Sequence, residues 1–229
     1  MDASGSMMDN LPVARIVALD VLSAAPQSQV ALVTFADKVE VRVGFTESRS
    51  QVTDALKTVT PGKRTALHDA LIAGLQLLDP PGPDDLVFLI TDAGNNVGKT
   101  TDAQLIKALR ASNVRVLVFL FSNREAATPE EVFGEPNFSY LIQQTGGVVA
   151  GYDTGWLKGI KPDQLQLAVN RLLAQAVYAY NLKIQLSAPI EKPKHWNLKL
   201  VNLPEKIKRP KITYPDELMP CAGSGSMTR

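Results

Sequence analysis

Three short polar clusters carry the side chains best suited to chemistry. Asp2-x-Ser4-x-Ser6 opens the chain, Thr65 closes the turn Gly62-Lys63-Arg64-Thr65, and Thr91-Asp92 ends an apolar run. Asp2, Ser4, Ser6, Thr65 and Asp92 together offer two carboxylates and three hydroxyls, with no His or Cys among them. An all-oxygen set suits a hard cation, Mg²⁺ first, with Mn²⁺ or Ca²⁺ as alternatives. Mg²⁺ takes six oxygens in an octahedron and readily keeps waters. Alternate spacing in Asp-x-Ser-x-Ser lets three side chains of one turn point the same way. Neutral hydroxyls directly on the ion leave it strongly electrophilic. Carboxylates held one water away anchor it without neutralising it. An ion held in this way has reason to recruit an acidic oxygen from a partner, which makes the site a binding device before it is a catalytic one.

These clusters need elements to position them. Leu11–Ala25 has apolar residues at helical spacing, with Pro12 in the first turn and Pro26 beyond the end. Gln29–Phe35 and Asp85–Thr91 are short apolar runs that read as buried strands, and Val39–Phe45 alternates as a half-exposed strand does. Ser48–Val59 reads as a short helix. Ala66–Leu78 is an amphipathic helix stopped by Pro80-Pro81-Gly82-Pro83. Asp102–Ser112 is a helix, Val114–Phe121 a buried strand, Asn137–Thr145 a helix, Gly147–Tyr152 a short strand and Pro162–Tyr178 a helix. Strands that alternate with helices, several of them continuous apolar runs, predict an α/β fold: a doubly wound, mostly parallel sheet flanked by helices. Ligands of such sheets bind beyond the carboxyl ends of the strands, and all three polar clusters fall on loops expected there.

The pattern ends near residue 180. Leu182–Leu186, Trp196–Leu203 and Lys211–Tyr214 read as β segments broken by prolines and lysines. The predicted division is a main domain over residues 1–180, a small β appendage over 181–216 and a flexible tail over 217–229, Gly/Ser-rich from Cys221 onward.

Composition excludes several classes. The 229 residues carry 24 Lys+Arg and 23 Asp+Glu, a net charge of +1, which gives no general attraction to nucleic acid or an anionic membrane. Hydrophobic residues at 45% and charged residues at 21% exclude wholesale disorder. The longest apolar runs, Val116–Phe121 and Leu86–Ile90, fall far short of the ~20 residues of a membrane helix. The single cysteine, Cys221, allows no internal disulfide and no cysteine-based zinc site.

Asp2-Ala3-Ser4-Gly5-Ser6-Met7, Thr65-Ala66-Leu67-His68-Asp69-Ala70-Leu71 and Ile90-Thr91-Asp92 resemble the von Willebrand factor A (VWFA) family, over roughly residues 1–180 in element order as well as motif. The resemblance implies a Rossmann-like fold with a metal-ion-dependent adhesion site. Asp2, Ser4, Ser6, Thr65 and Asp92 fall on that site's metal-coordinating positions. It implies a divalent-metal-dependent protein-binding module with no catalytic residues, whose protein ligand presents an Asp or Glu. The tail is similar, more loosely, to the end of bacterial VWFA-related proteins of the acidobacterial type, through Tyr178-x-Tyr180, Lys183–Leu186, Lys208-Arg209-Pro210 and Tyr214. Such proteins are held to be extracytoplasmic.

Two departures follow. In the family a buried apolar strand, central in the sheet, precedes the first Asp. Only Met1 precedes Asp2 here, and no secretory signal is visible. The expectation is a domain truncated at its N-terminus, with a lost upstream segment that also held any signal, and two strands left with unpaired backbone groups. A remnant with a vestigial metal site is the alternative. The second departure is Ala93 after Asp92, where the family commonly has Gly; Gly94 is expected to serve the turn instead.

One competing motif resembles the looser form of the phosphate-binding P-loop: Ala93-Gly94-Asn95-Asn96-Val97-Gly98-Lys99-Thr100. It would make the chain a nucleotide-binding enzyme, with Lys99 on the phosphates and Thr100 on Mg²⁺. Against it, the next buried strand ends Phe121-Ser122 and supplies no acidic residue for the metal. The segment reads instead as an exposed loop capped by Thr100 or Thr101. His68 is expected to pack or hydrogen-bond, with Asp69 as a partner inside the helix. His195 and Cys221 have no catalytic context. Trp156 and Trp196 read as packing residues, Trp156 from a loop, and Lys206–Lys211 as a solvated face.

Overall fold

A strand covered on both sides is apolar at every position, and Val116–Phe121 is so without a break. A computed structural model describes residues 1–82, 84–122, 129–177, 182, 184–202 and 212–220. Its elements are α1 (Leu11–Ala24), β1 (Val30–Phe35), β2 (Val39–Thr46), α2 (Arg49–Lys57), α3 (Leu67–Leu77), β3 (Leu86–Thr91), α4 (Asp102–Ser112), β4 (Arg115–Ser122), α5 (Pro129–Gln144), β5 (Val148–Asp153), α6 (Thr154–Lys158), α7 (Pro162–Val177), β6 (Lys194–His195) and β7 (Glu217–Leu218). Side chains of β4 alternate between two cores. Leu117, Phe119 and Phe121 pack with α1, α2 and α7, while Val116, Val118 and Leu120 pack with α3, α4 and α5. The sheet is thus covered on both faces, as the apolar strands require.

β3, β4 and β5 form a parallel sheet in that order, with Leu86 opposite Arg115 and Leu117 opposite Val148. β1 and β2 form an antiparallel hairpin with an irregular register near Leu32. Residues 1–3 lie between the two. Asp2 pairs in parallel with Phe35, and its amide donates to the Ile90 carbonyl at 2.8 Å. The Ala3 amide donates to Phe35 O at 2.8 Å, and the Phe35 amide to Met1 O at 3.2 Å. The order across the molecule is β2, β1, residues 1–3, β3, β4, β5. Among the described residues, the backbone bonds that link the two halves of the sheet run through residues 1–3 at the carboxyl ends. Behind them a slot of about 650 Å³ runs between β1 and β3.

Local signals explain the helix ends. Ser48 caps α2 by accepting from the Gln51 amide. α4 opens with a reciprocal Thr101–Gln104 capping box and ends on Asn113 in the left-handed region, φ 54°. Asp153 caps α6 by accepting from the Trp156 amide, so Trp156 sits in a short helix rather than a loop. Its ring stacks on Tyr152 at 5.8 Å and remains 46% exposed. α5 begins at Pro129, well before Asn137, and tolerates Pro136 within it.

The expected β segments of the appendage do not form as read. Among the described residues, Lys194–His195 pairs with Glu217–Leu218, and residues 182, 184–186 and 196–202 are not strands. Alternation alone does not make a strand; without a sheet edge to pair with, segments this short are not stable. Residues 212–220 are instead tied to the main domain by backbone bonds at Gln144 and Thr145 and by Arg110, and to Trp196 by side chains. Arg110 on α4 binds both Asp216 and Glu217, Trp196 donates to the Pro215 carbonyl, and the Trp196 and Tyr214 rings meet edge-on at 5.2 Å. Glu217 and Leu218 are therefore held in place, although the tail was expected to begin there. The readings for Tyr178, Tyr180, Lys183, Lys206–Lys211 and Cys221 lie outside the described residues.

Candidate metal centre

Two close backbone approaches assemble the polar edge. The Gly5 amide donates to Lys63 O at 3.2 Å, and a Cβ on Gly5 would stand 2.9 Å from that same oxygen. The Gly62 amide donates to Ala3 O at 2.6 Å, where a Cβ would stand 2.4 Å from the Ala36 Cβ. Glycine at both positions lets the turn before Thr65 lie against residues 3–5.

Asp2 is fully buried. Its Oδ1 accepts from the Ser4 amide at 2.8 Å, and its Oδ2 from the Thr91 hydroxyl at 2.7 Å. Ser4 is fully buried as well, and its Oγ lies 3.1 Å from Ser6 Oγ on the exposed lip of the turn. Thr65 is 2% exposed; its amide donates to Asn96 Oδ1 at 2.9 Å. Asp92 Oδ1 accepts from the Gly94 amide at 3.3 Å. A Cβ on Gly94 would stand 3.4 Å from Thr65 Oγ1 and 3.5 Å from Asp92 Oδ1, so the bare glycine leaves the space between these two oxygens open.

The electrostatics of this edge are unfavourable without a counter-charge. Burial, then the neighbouring Asp92 charge, push the Asp2 carboxyl up to about 7, against the pull of hydrogen bonds from Thr91 and Ser4. Two carboxylates, three hydroxyls and an open cradle at Gly94 fit a hard divalent cation, whose charge would let both carboxylates ionise. Among the described residues no three His, Cys, Asp or Glu side chains converge. An ion here would therefore rest largely on neutral oxygens.

Four residues play parts that the sequence did not show. Thr91 bridges Asp2 and the Ala93 amide, which donates to its Oγ1 at 3.0 Å. Asn95 and Asn96 accept from the amides of His68 and Thr65 and fix the start of α3 against the β3 loop. Asn after a strand end is itself a turn signal, and could have been read that way. Ala93 takes the left-handed conformation itself, φ 67°, and Gly94 does not. This corrects the expectation that Gly94 would serve the turn. Left-handed backbone costs a residue with a Cβ about 1 kcal/mol. Ala93→Gly is therefore expected to raise stability by roughly 0.5–1 kcal/mol in urea unfolding. A loss would mean that packing of the buried Ala93 methyl outweighs the strain.

The P-loop alternative meets a specific obstacle. The amides of Lys99 and Thr100, which would cradle a phosphate, donate to the Asp69 carboxylate at 2.9–3.1 Å. Asp69 is thus not a partner within its helix but the anchor of this loop. His68 Nδ1 lies 3.2 Å from Thr100 O.

Residues 1–95 match the family model described as the von Willebrand factor type A domain. A comparison with curated proteins gives no match. Among solved structures, the chain is similar to the conserved hypothetical protein BatB from Bacteroides thetaiotaomicron, at 17% identity and a TM-score of 0.59, covering 78% of this chain and 96% of that one. It is similar to a von Willebrand factor type A protein from Catenulispora acidiphila, at 18% identity and a TM-score of 0.51, over 76% of this chain and 41% of that one. It is also similar to the PilB minor pilin from Streptococcus sanguinis, at 16% identity and a TM-score of 0.53, over 76% of this chain and 59% of that one. Residues 1–95 thus resemble a von Willebrand factor type A domain, and these structures share the fold.

Proposed function

We propose that the chain is a non-enzymatic, divalent-cation-dependent protein-binding module. Ser4, Ser6 and Thr65 would hold Mg²⁺ (or Mn²⁺ or Ca²⁺), with Asp2 and Asp92 engaged directly or through water. The ion supplies one electrophilic position, to be completed by an Asp or Glu of a partner protein. The observation that carries this reading is the fully buried Asp2, fixed by Ser4 and Thr91 and facing a second carboxylate. Burying one carboxyl beside another is costly, and a cation between them would offset that cost. The chain's own residues fix the donors: the sheet pairing of residues 2 and 3 sets Asp2, and Asn96 sets Thr65. No residue here is assigned a catalytic role.

We further propose an extracytoplasmic location. The neighbour named a minor pilin supports it, as does the aerotolerance-related membrane protein from Bacteroides fragilis. Among the described residues no helix is long and apolar enough to cross a membrane. Kinship with the acidobacterial group rests on the looser tail motif alone.

The test is calorimetric titration of the metal-stripped 229-residue chain with Mg²⁺ and with Mn²⁺. One saturable site, lost in Asp92→Ala, is expected. Absence of any heat at millimolar excess of either ion sinks the reading.

A further inference from the structure

A second cavity, of about 480 Å³, opens at the carboxyl end of β5 against the first turns of α7. Tyr152 and Asp153 of β5, Trp156 of α6, and Gln164, Leu167 and Arg171 of α7 line it. The α7 residues recur at i, i+3 and i+7, one stripe of a helix, while Leu165, Val169 and Leu172 turn to the core. A ladder of rings leads to the cavity from inside. Phe119 is fully buried, Tyr152 stacks on it at 4.3 Å, and the exposed Trp156 stacks on Tyr152. The Tyr152 hydroxyl donates to Ala168 O at 3.3 Å, which ties the ladder to α7. Burial pushes that hydroxyl's pKa up, and the Arg171 charge beside it pulls it down. The polar groups of the lining are held by backbone amides. Asp153 Oδ1 accepts from the Trp156 amide at 3.1 Å, and Gln164 Oε1 from the Lys161 amide at 3.4 Å. That leaves the other carboxylate oxygen to accept and the Gln164 amide nitrogen to donate. Among the described residues, neither Asp153 nor Arg171 is in a salt bridge.

We propose that this cavity is a carbohydrate subsite that takes one neutral pyranose ring, stacked on Trp156 with its hydroxyls on Asp153, Gln164 and Arg171. Its volume lies within the ~300–1,000 Å³ of small-molecule sites. The chemistry of the lining selects the class. A purely apolar ligand would strip water from Asp153, Gln164 and Arg171 and give nothing back. An anion would meet Arg171 but face Asp153, and a cation the reverse. A pyranose has an apolar C–H face and a rim of hydroxyls, each able to donate and to accept. One such ring covers Trp156 and serves carboxylate, amide and guanidinium at once, with no net charge to place. The ring ladder and the backbone bonds hold the platform before the ligand arrives, so little ordering is lost on binding. The inference does not depend on the cation reading, because the subsite uses none of Asp2, Ser4, Ser6, Thr65 or Asp92.

The experiment is saturation-transfer NMR and calorimetric titration of the full 229-residue chain in EDTA. The probes are the methyl pyranosides of glucose, galactose, mannose and N-acetylglucosamine. At least one is expected to bind saturably with a millimolar dissociation constant, and to take up most saturation on the C–H protons of one ring face. Trp156→Ala should weaken that binding at least about tenfold, and Trp156→Phe, which keeps a ring, by less. Gln164→Ala and Arg171→Ala, at exposed positions of α7, should each weaken it about threefold to tenfold. These two decide the matter if Trp156→Ala lowers the unfolding midpoint. No saturable binding of any of the four sugars would overturn the proposal. So would full-strength binding in a folded Trp156→Ala or in both α7 variants, which would put the sugar elsewhere. N-acetylphenylalanine amide bound in the cavity more tightly than every pyranoside would also overturn it, and would assign the site to an aromatic side chain of a partner. Working in EDTA keeps these outcomes separate from those of the Mg²⁺ titration.

Discussion

Asp2→Asn is expected to erase the rise in unfolding temperature that excess Mg²⁺ gives the unaltered chain, and to leave the metal-free midpoint unchanged or higher. The two halves of this result have different causes. Without metal, the Asp2 carboxylate is fully buried, disfavoured as a charge, and set against Asp92. An Asn of the same size can still accept from the Ser4 amide and can donate to Thr91 Oγ1, so the buried charge is shed at the cost of the acceptor that the Thr91 hydroxyl now uses. With metal, a ligand present at a hundred times its dissociation constant stabilises the native state by ~2.7 kcal/mol. For a chain of this length that is about 5–10 °C. The variant should forfeit all of it, because the ion loses an anionic anchor. Asp92→Asn, at the half-buried outer side of the site, is the companion that does not disturb the sheet. A Mg²⁺ shift of normal size in both variants would remove the carboxylates from the site.

Phe119→Ala is expected to lower stability by about 3–5 kcal/mol. Phe119 is fully buried at the middle of β4, with Tyr152 stacked on it at 4.3 Å and Phe121 at 5.5 Å. Truncation removes the transfer of a ring and leaves a cavity between β4, β5 and α7 that backbone pairing on both sides prevents from collapsing. The whole stability of an ordinary domain is ~5–15 kcal/mol, so this one change takes a large part of it. Urea unfolding followed by circular dichroism reads the effect. Tyr140→Ala, at a side chain 67% exposed, is the control and should stay within about 0.5 kcal/mol. A comparable loss in both would show that the two positions do not differ in packing.

The parts of this fold that could be read from sequence are those where pattern and burial coincide. Val116–Phe121 and Leu86–Ile90 are apolar on both faces because helices cover both, and they proved to be neighbouring parallel strands. Asp102–Ser112 was legible to the residue because Thr101 and Gln104 cap it reciprocally. Thr154–Lys158 was not, since a single turn offers no periodicity and its one signal, Asp153 at the cap, resembles any loop Asp. The tail misled because Leu182–Leu186 and Trp196–Leu203 alternate well, yet strand formation depends on an available edge, which a single sequence does not display. For the polar edge, the side chains were found by type and spacing, whereas their fasteners were not. Asn95, Asn96 and Asp69 act through contacts spanning about thirty residues, beyond the reach of any local motif. Ala93 was noticed as unusual, but its left-handed backbone is a property of the turn and not of the residue.

Residues 1–3 connect the two halves of the sheet by a handful of backbone bonds. Asp2 and Ser4 lie on or beside that connection, while Thr65 and Asp92 lie on the loops before α3 and after β3. The polar edge is thus built from segments far apart in sequence, one of which also bridges β1 and β3. A ligand that holds both halves together closes the seam between β1 and β3 at the same time, so occupancy of the edge and cohesion of the sheet rise and fall as a single quantity.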